Sequence, residues 1–314
     1  MGTAIALAGA RHEAVLYSAP DELARRLVPL LRPSLDDGAP VVAVLDAPTR
    51  ERLCRELGDD AGRVEFPEPA AVHRVPAFTV AMRWARLSRR VKTPTGRATV
   101  VGQHVTGLPG CEETHWARLD IGIDVAVAGL PITVLCPYRT DDRELARVRA
   151  THSRLATANG SVTSETYRPP AESVLRFPPP PPPDLGPPAL ERAFTADELG
   201  ELRHLVAEFA GRSGAEPERV ADLVLAVNEL GSNSVEHGPG HAHLRMWTDR
   251  DGVTTEIADT GTTSLPFAGM VAPTPTGIRG RGLWLASELC DVMQVWTDGD
   301  GTVVRLRMER EPDA

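Results

Sequence analysis

Glu229, Asn233 and His237 recur at every fourth position of the stretch Glu-Leu-Gly-Ser-Asn-Ser-Val-Glu-His. On a helix that spacing puts all three on roughly one face. A carboxylate so placed can accept a proton, and an amide oxygen one turn later can ligate Mg²⁺, which prefers oxygen donors. The row suits a site that holds a hard cation beside a nucleophile; a polar, solvated helix face is the plain alternative. Three segments further along the chain bear on that choice. The run from Gly252 to Ala258 reads as a strand and ends at Asp259-Thr260-Gly261, where an acidic residue meets a turn glycine. Gly277-Ile278-Arg279-Gly280-Arg281-Gly282-Leu283 is a glycine-rich loop running into an amphipathic helix. Glycines at a helix N-terminus leave backbone amides open to a phosphate. Gly301-Thr302 is a turn into a final alternating strand.

A Gly-x-Gly alone occurs in many loops, but the four blocks in this order are specific together. They resemble the N, G1, G2 and G3 boxes of the GHKL (Bergerat-fold) ATPases, and within them the bacterial anti-sigma factor serine/threonine kinases. The resemblance spans roughly residues 190 to 310. It implies ATP and Mg²⁺ as ligands, with Glu229 as catalytic base and Asn233 as the Mg²⁺ ligand. It further implies that Asp259 bonds the adenine amino group while Gly261 lets the base approach. Gly280, Arg281, Gly282 and Leu283 would cover the phosphates, and Thr302 would lie beside the adenine. The family often carries a second glycine two residues after the first in the G1 block, and here Thr263 stands there. The implied partners are a sigma factor and an anti-anti-sigma protein, and the likeness suggests a homodimer.

Several elements must position these residues. Thr195-Ala-Asp-Glu198 is a capping-box pattern ahead of a helix from Leu199 to Gly211. The helix bearing Glu229 starts near Pro217, a favoured first-turn residue, and ends at Gly238-Pro239. Residues 241 to 248 alternate apolar with polar, and Asp249-Arg-Asp-Gly252 is a hairpin turn into the next strand. Val292–Trp296 and Val303–Met308 complete an antiparallel sheet. Helices on one face of such a sheet make an α+β sandwich, the Bergerat-type fold that the blocks imply.

Phe177 is followed by six consecutive prolines, which fit neither a helix nor a central strand. The expectation is a solvated, semi-rigid polyproline II spacer. It divides the chain into a first part over residues 10–170, a linker over 171–188 and a second part over 189–314 that carries the ATPase-like blocks. In the first part, strand candidates Val41–Leu45, Ala98–Gly102 and Ile132–Leu135 alternate with helical patterns near Pro20–Leu35, Thr49–Leu57, Ala77–Val91 and Asp141–Leu155. That alternation predicts an α/β domain with a mostly parallel sheet. No phosphate-binding Gly-x-x-x-x-Gly-Lys loop precedes the first long helix. His12–Tyr17, Leu135-Cys-Pro-Tyr138 and Thr151-His152 ahead of Tyr167-Arg-Pro-Pro170 resemble the MEDS sensory domain of bacterial regulators, over roughly residues 10 to 170. His12, His115, His152 and Cys136 can converge on a ligand or metal, or serve ordinary capping and core roles; their spacing has no metal pattern.

At 314 residues the chain exceeds one typical core. A net charge of −9 offers no broad basic field for direct nucleic-acid binding. No apolar run spans a bilayer, and Met1–Ala10 lacks a basic n-region, so it reads as a frayed lead-in rather than a signal peptide. Cys54, Cys111, Cys136 and Cys290 are scattered without a Cys-x-x-Cys pair, as reduced thiols are, so the expected location is the cytoplasm. Two readings of the whole compete: a protein kinase that also sequesters a sigma factor, and an ATP-responsive binding switch that transfers no phosphate. A sensor histidine kinase is a third, and its phosphoacceptor would have to be His204, in Leu-Arg-His-Leu-Val with no acidic residue directly following.

Overall fold

The computed structural model describes residues 9–91, 96–141, 143–157, 160–262, 266–273 and 281–310. Contacts divide the chain into two compact units, one ending at Pro178 and the other beginning at Pro179. The first contains β1 (Arg11–Tyr17), α1 (Pro20–Asp36), β2 (Val41–Val44), α2 (Ala47–Leu57), α3 (Pro69–His73), α4 (Ala77–Ser88) and β3 (Ala98–Gly102). It continues with α5 (Glu113–Ala126), β4 (Ile132–Arg139), α6 (Leu145–Thr151), β5 (Arg154–Thr157), β6 (Gly160–Thr163) and α7 (Pro170–Ser173). The sheet order is β2-β3-β4-β1-β5-β6. Every pairing is parallel except β5 with β6. The mostly parallel α/β expectation is met.

β3 and β4 are buried almost end to end, as parallel strands covered on both faces are. Three sequence expectations need correction. β1 lies in the middle of the sheet between β4 and β5, yet His12 and Glu13 break up its apolar run and keep it out of the strand candidates. α5 was not anticipated, because its buried residues include Trp116, Ala117, Leu119, Asp120, Ile121, Gly122 and Ile123. A helix buried most of the way round shows no amphipathic period. The helix expected through Leu155 stops at Thr151, and β5 begins at Arg154.

The second unit contains β7 (Leu190–Thr195), α8 (Leu199–Arg212), α9 (Pro217–His237), β8 (His241–Asp249), β9 (Gly252–Asp259), α10 (Arg281–Leu289), β10 (Val292–Thr297) and β11 (Thr302–Glu309). The sheet runs β10-β11-β9-β8-β7 and is antiparallel throughout. Phe194, Leu244, Met246, Ile257, Val304 and Leu306 share a core with Leu202, Val206, Leu223, Ala226, Val227 and Leu230 of α8 and α9. This is the α+β sandwich anticipated. The capping box forms at Thr195 and Glu198, heading a short 3₁₀ turn that leads into α8. β7 is the one strand of this sheet that the sequence pattern did not suggest; only its Phe194 is fully buried.

The other face of the sheet carries a charged row: Gln294, Arg305, Glu256, Arg245 and Glu191 lie side by side on successive strands. The buried Glu256 carboxylate sits 2.7 Å from Arg305 and 3.3 Å from Arg245. Proline has no amide to donate but keeps its carbonyl, and the sheet supplies the donors. Trp296 Nε1 donates to Pro180 O at 2.7 Å, Arg305 Nη1 to Pro183 O at 2.9 Å and Trp247 Nε1 to Gly186 O at 3.1 Å. The segment is exposed from Pro180 to Pro187, as a solvated spacer is, and the sheet holds it in addition. The proline-rich segment is laid along the sheet of the second unit.

Candidate functional site

α9 carries the polar row because its other face is apolar: Leu223, Ala226, Val227 and Leu230 are buried in the sandwich. Glu229 and Asn233 are half-buried and His237 is exposed at the last helical position. α10 packs against α9 and brings Gly282 onto the two inner members of the row. A methyl built on Gly282 would lie 2.7 Å from Asn233 Nδ2 and 3.1 Å from Glu229 Oε2. No other residue type fits there without displacing one of them. Gly282 belongs to the first turn of α10, where the leading amides of a helix have no intrahelical partner and carry partial positive charge. A carboxylate, a side-chain amide and a helix N-terminus thus meet at one point. Glu229 and Asn233 make no hydrogen bond or ion pair with other described residues.

A second cluster forms at the C-terminal end of α9. Asp259 ends β9 opposite Thr302 of β11. Its Oδ1 accepts from the Gly261 amide at 2.7 Å, and Thr302 Oγ1 donates to Gly261 O at 2.7 Å. Those two bonds fix the turn and leave Asp259 Oδ2 without a partner among the described residues. A methyl on Gly261 would come within 2.9 Å of Asp259 Oδ1 and 3.4 Å of Gly238 Cα, so the turn, the acid and the end of α9 are in close contact. Such a pairing of a free carboxylate oxygen with a side-chain-free backbone suits a flat, amino-bearing ring.

The structure thus brings Gly282 to Glu229 and Asn233, and gathers Asp259, Gly261 and Thr302. Arg281 is exposed and Leu283 partly buried at the start of α10. His237 is exposed at the end of α9 and makes no hydrogen bond to either cluster among the described residues. Gly280 and Thr263, both singled out in the sequence, lie outside the described residues. Gly238 was read only as a helix stop, but it forms one wall at Asp259: its added methyl would lie 3.5 Å from Asp259 Oδ1. His204 is exposed on α8, a helix of the sandwich itself.

In the first unit, His12, Cys136 and His152 converge, joined by Asp120, which sequence reading missed together with its helix. His115 lies elsewhere, with its Nε2 3.4 Å from His73 Nδ1 beside Trp116. Burial, then the neighbouring His115 and His104, push the His73 imidazole down to about 3; burial pushes His115 down to about 4. All four cysteines are free thiols. No helix among the described residues is long and apolar enough to cross a membrane.

Comparison with known proteins divides the chain in the same way. Residues 11–153 match the methanogen/methylotroph DcmR sensory domain, MEDS, and residues 193–308 match the histidine kinase-like ATPase domain. The second match contains Glu229, Asn233, Asp259, Gly261, Gly282 and Thr302, and also His204 with the whole of α8. No curated protein matches the chain. Among solved structures, the RsbU and RsbW domains of a Mycobacterium tuberculosis protein share 20% identity over 39% of this chain, with a TM-score of 0.30. The match spans about a third of that protein's length (33%). The chain therefore joins an N-terminal MEDS domain to a C-terminal ATPase domain of the GHKL type.

Proposed function

We propose that the second unit binds ATP with Mg²⁺ and transfers the γ-phosphoryl group to a Ser or Thr hydroxyl of an anti-anti-sigma protein, and that the chain sequesters a sigma factor once that antagonist is phosphorylated. In this reading residues 10–170 sense a signal, 171–188 link, and 189–314 carry the kinase. The observation that supports it best is the approach of Gly282 to both Glu229 and Asn233, a cradle that an added methyl would fill. The donor set fits the ligands: the side-chain amide of Asn233, whose oxygen can ligate a hard cation, helix amides for phosphate, and Asp259 Oδ2, which has no partner among the described residues, for an adenine amino group.

Bound Mg²⁺–ATP would supply the transferable phosphoryl group and the counter-charge at its oxygens. Phosphoryl transfer asks a protein for alignment and charge neutralisation more than for covalent chemistry. Glu229 would take the hydroxyl proton, Asn233 would hold the metal, and the first-turn amides of α10 would offer donors to the phosphates. Phosphorylation adds roughly two negative charges to the antagonist, which weakens its complex with this chain and frees the chain for its sigma factor. Thr263, in place of a glycine, keeps a second reading in play: a switch that binds ATP and its partner without transferring phosphate.

The test is to incubate the full chain with γ-labelled ATP and each antagonist-like protein encoded by the same genome. Acid-stable label on one antagonist, at Ser or Thr, is the expected result. ATP binding by calorimetry without transfer to any of them supports the switch, and acid-labile label on this chain's own histidine would support a histidine kinase. No binding at millimolar nucleotide would overturn all three.

A further inference from the structure

His12, Asp120, Cys136 and His152 are all buried, and one ligand atom from each lies within 4.8 Å of every other. Topology produces the convergence. β1 and β4 are parallel neighbours with Ala14 opposite Cys136. His12, two residues before Ala14, therefore projects from the same face as Cys136. α5 brings Asp120 and Asp124 to that face one turn apart, and His152 follows the last residue of α6.

The hydrogen bonds around the four residues determine which atoms point inward. His12 Nδ1 bonds Asp124 Oδ1 at 2.8 Å, and Tyr167 Oη holds the other oxygen of that carboxylate at 2.9 Å. His12 Nε2 is thereby aimed at Cys136 Sγ, 3.4 Å away. His152 Nδ1 lies 2.9 Å from Val148 O. A carbonyl can only accept, so Nδ1 carries the proton and the neutral ring's lone pair sits on Nε2. That nitrogen is completely buried and has no hydrogen-bond partner; Asp120 Oδ1 is 3.7 Å away. A buried, unsatisfied lone pair is costly. Asp120 Oδ2 is held by Arg147 Nη1 at 2.7 Å and Thr151 Oγ1 at 3.2 Å, and Tyr138 Oη donates at 2.8 Å to either oxygen.

We propose that these four side chains form a binding site for a divalent transition metal, Zn²⁺ first, with His12 Nε2, His152 Nε2, Cys136 Sγ and Asp120 Oδ1 as a closed tetrahedral set. Two nitrogens, a thiolate and a carboxylate oxygen match Zn²⁺ and its substitute Co²⁺ and exclude Mg²⁺ or Ca²⁺. Metal–ligand bonds of about 2.0–2.3 Å separate the ligand atoms of a tetrahedron by roughly 3.3–3.8 Å. The His12–Cys136 and His152–Asp120 separations of 3.4 and 3.7 Å already have that length. Each histidine has an oxygen on its far nitrogen, the arrangement that orients metal-bound imidazoles. Metal entry displaces the thiol proton of Cys136, which leaves as H⁺ to solvent. Asp124 and Glu144, the latter paired with Arg147, add negative charge that offsets the guanidinium. Four protein ligands leave no open position, so the metal would tie α5 and α6 to the centre of the sheet rather than hydrolyse a substrate.

The full chain, purified from zinc-supplemented cells and dialysed, should retain about one zinc per chain by elemental analysis. Chelator-stripped protein titrated with Co²⁺ should develop ligand-field bands of a tetrahedral site and a thiolate charge-transfer band. Cys136→Ser should abolish the charge-transfer band, and His152→Ala should lower metal retention at least tenfold. Asn233→Ala, on the ATPase side, should change neither, which separates this site from any Mg²⁺ bound with ATP. Wild-type chain that retains no zinc and gives no Co²⁺ spectrum sinks the proposal even if every variant misfolds. So does a charge-transfer band that persists in Cys136→Ser.

Discussion

Asp120 of the first unit accepts from Tyr138, Arg147 and Thr151, all four of them buried. Glu229 and Asn233 of the second unit are half-buried and bond no other described residue. Both sets are polar residues on helices packed against a sheet, yet their surroundings differ in kind. Around Asp120 the protein satisfies the carboxylate from three side chains and leaves His152 Nε2 and Arg147 Nε without hydrogen-bond partners, so most of these groups hold one another in place and the fold depends on them. Around Glu229 the protein supplies a shaped edge, the glycine of α10, and leaves the polar atoms to be satisfied by something that arrives. One arrangement keeps most of its interactions within the fold even without a metal; in the proposed reading the other reserves them for a nucleotide. Substitutions in the two places should accordingly separate stability from activity.

The sharpest contrast is at Glu229. Glu229→Ala should lower phosphate transfer to the antagonist by about 10²- to 10⁴-fold, the range of a lost general base, with ATP affinity and unfolding midpoint nearly unchanged. Single-turnover rates beside calorimetry make the comparison. Equal transfer by mutant and wild type would rule Glu229 out as the base. At Asp120 the balance reverses. In metal-free protein Asp120→Ala leaves the buried Arg147 with Glu144 as its one carboxylate partner among the described residues and should cost first-unit stability near the low end of about 3–5 kcal/mol. ATP binding to the second unit should persist. Hydrogen exchange resolved by unit is the readout, because a chain of two compact units need not unfold in one step. Loss of under about 1 kcal/mol would mean that the Asp120 hub is less closely held than its distances imply.

The same contrast explains what could be seen in the sequence. The second unit was legible almost element by element. α9 has one apolar and one polar face, the strands of the second sheet alternate, and the candidate site residues sit in short blocks whose spacing survives without the fold. Only β7 was missed, and it buries a single large side chain, Phe194. In the first unit the residues that assemble the buried polar set come from β1, α5, β4 and the end of α6. Their proximity depends on strand order, which no local pattern encodes. α5 is buried most of the way round and so shows no period, and Asp120 was lost with it. His12 and Glu13 disguised a central strand because each is buried against partners far along the chain, Asp124 for one and Arg154 for the other. His115 looked equivalent to His12 and His152 by type, but it faces His73 and Trp116.

A smaller effect comes from that second histidine group. His73 and His115 lie against His104 and Trp116. Their folded values of about 3 and 4 lie below the ordinary 6.5 of the unfolded chain. Between those values the unfolded state binds more protons than the folded one, so stability falls as pH falls. The contribution is fully present above about pH 6.5 and is lost progressively on acidification toward about 4. Between pH 6.5 and 5 the two rings should cost the first unit about 2–4 kcal/mol. Urea midpoints at both pH values, for wild type and for the His73→Phe, His115→Phe double variant, isolate the term. A double variant with the wild-type slope would show that the rings titrate normally.

The smallest expected effect tests whether the proline-rich segment belongs energetically to the second unit. Trp296, Arg305 and Trp247 donate to three of its carbonyls, and the Arg305 guanidinium lies 5.3 Å from the Trp296 ring centre and 5.9 Å from that of Trp247. Pro180 and Gly186 are themselves exposed, so water can replace a lost donor and each bond should contribute near the low end of about 0.5–1.5 kcal/mol. Trp296→Phe and Trp247→Phe keep the aromatic surfaces but remove both indole donors. Together they should weaken the segment's attachment by about 1 kcal/mol, a roughly fivefold change in its open fraction. Prolines carry no amide, so the reporter is the next amide held by the sheet: Ala189 N, which donates to Met246 O at 2.9 Å. Its exchange should quicken about fivefold in the double variant, while the amides of α9 and the affinity for ATP stay as they were. Unchanged exchange at Ala189 would mean the segment lies on the sheet without being held by it, leaving the link between the units as loose as its composition alone suggests. Slower ATP turnover in the same variant would instead make the segment part of the ATPase machinery, and the division between a self-satisfied first unit and a ligand-awaiting second one would then have to be redrawn at the linker.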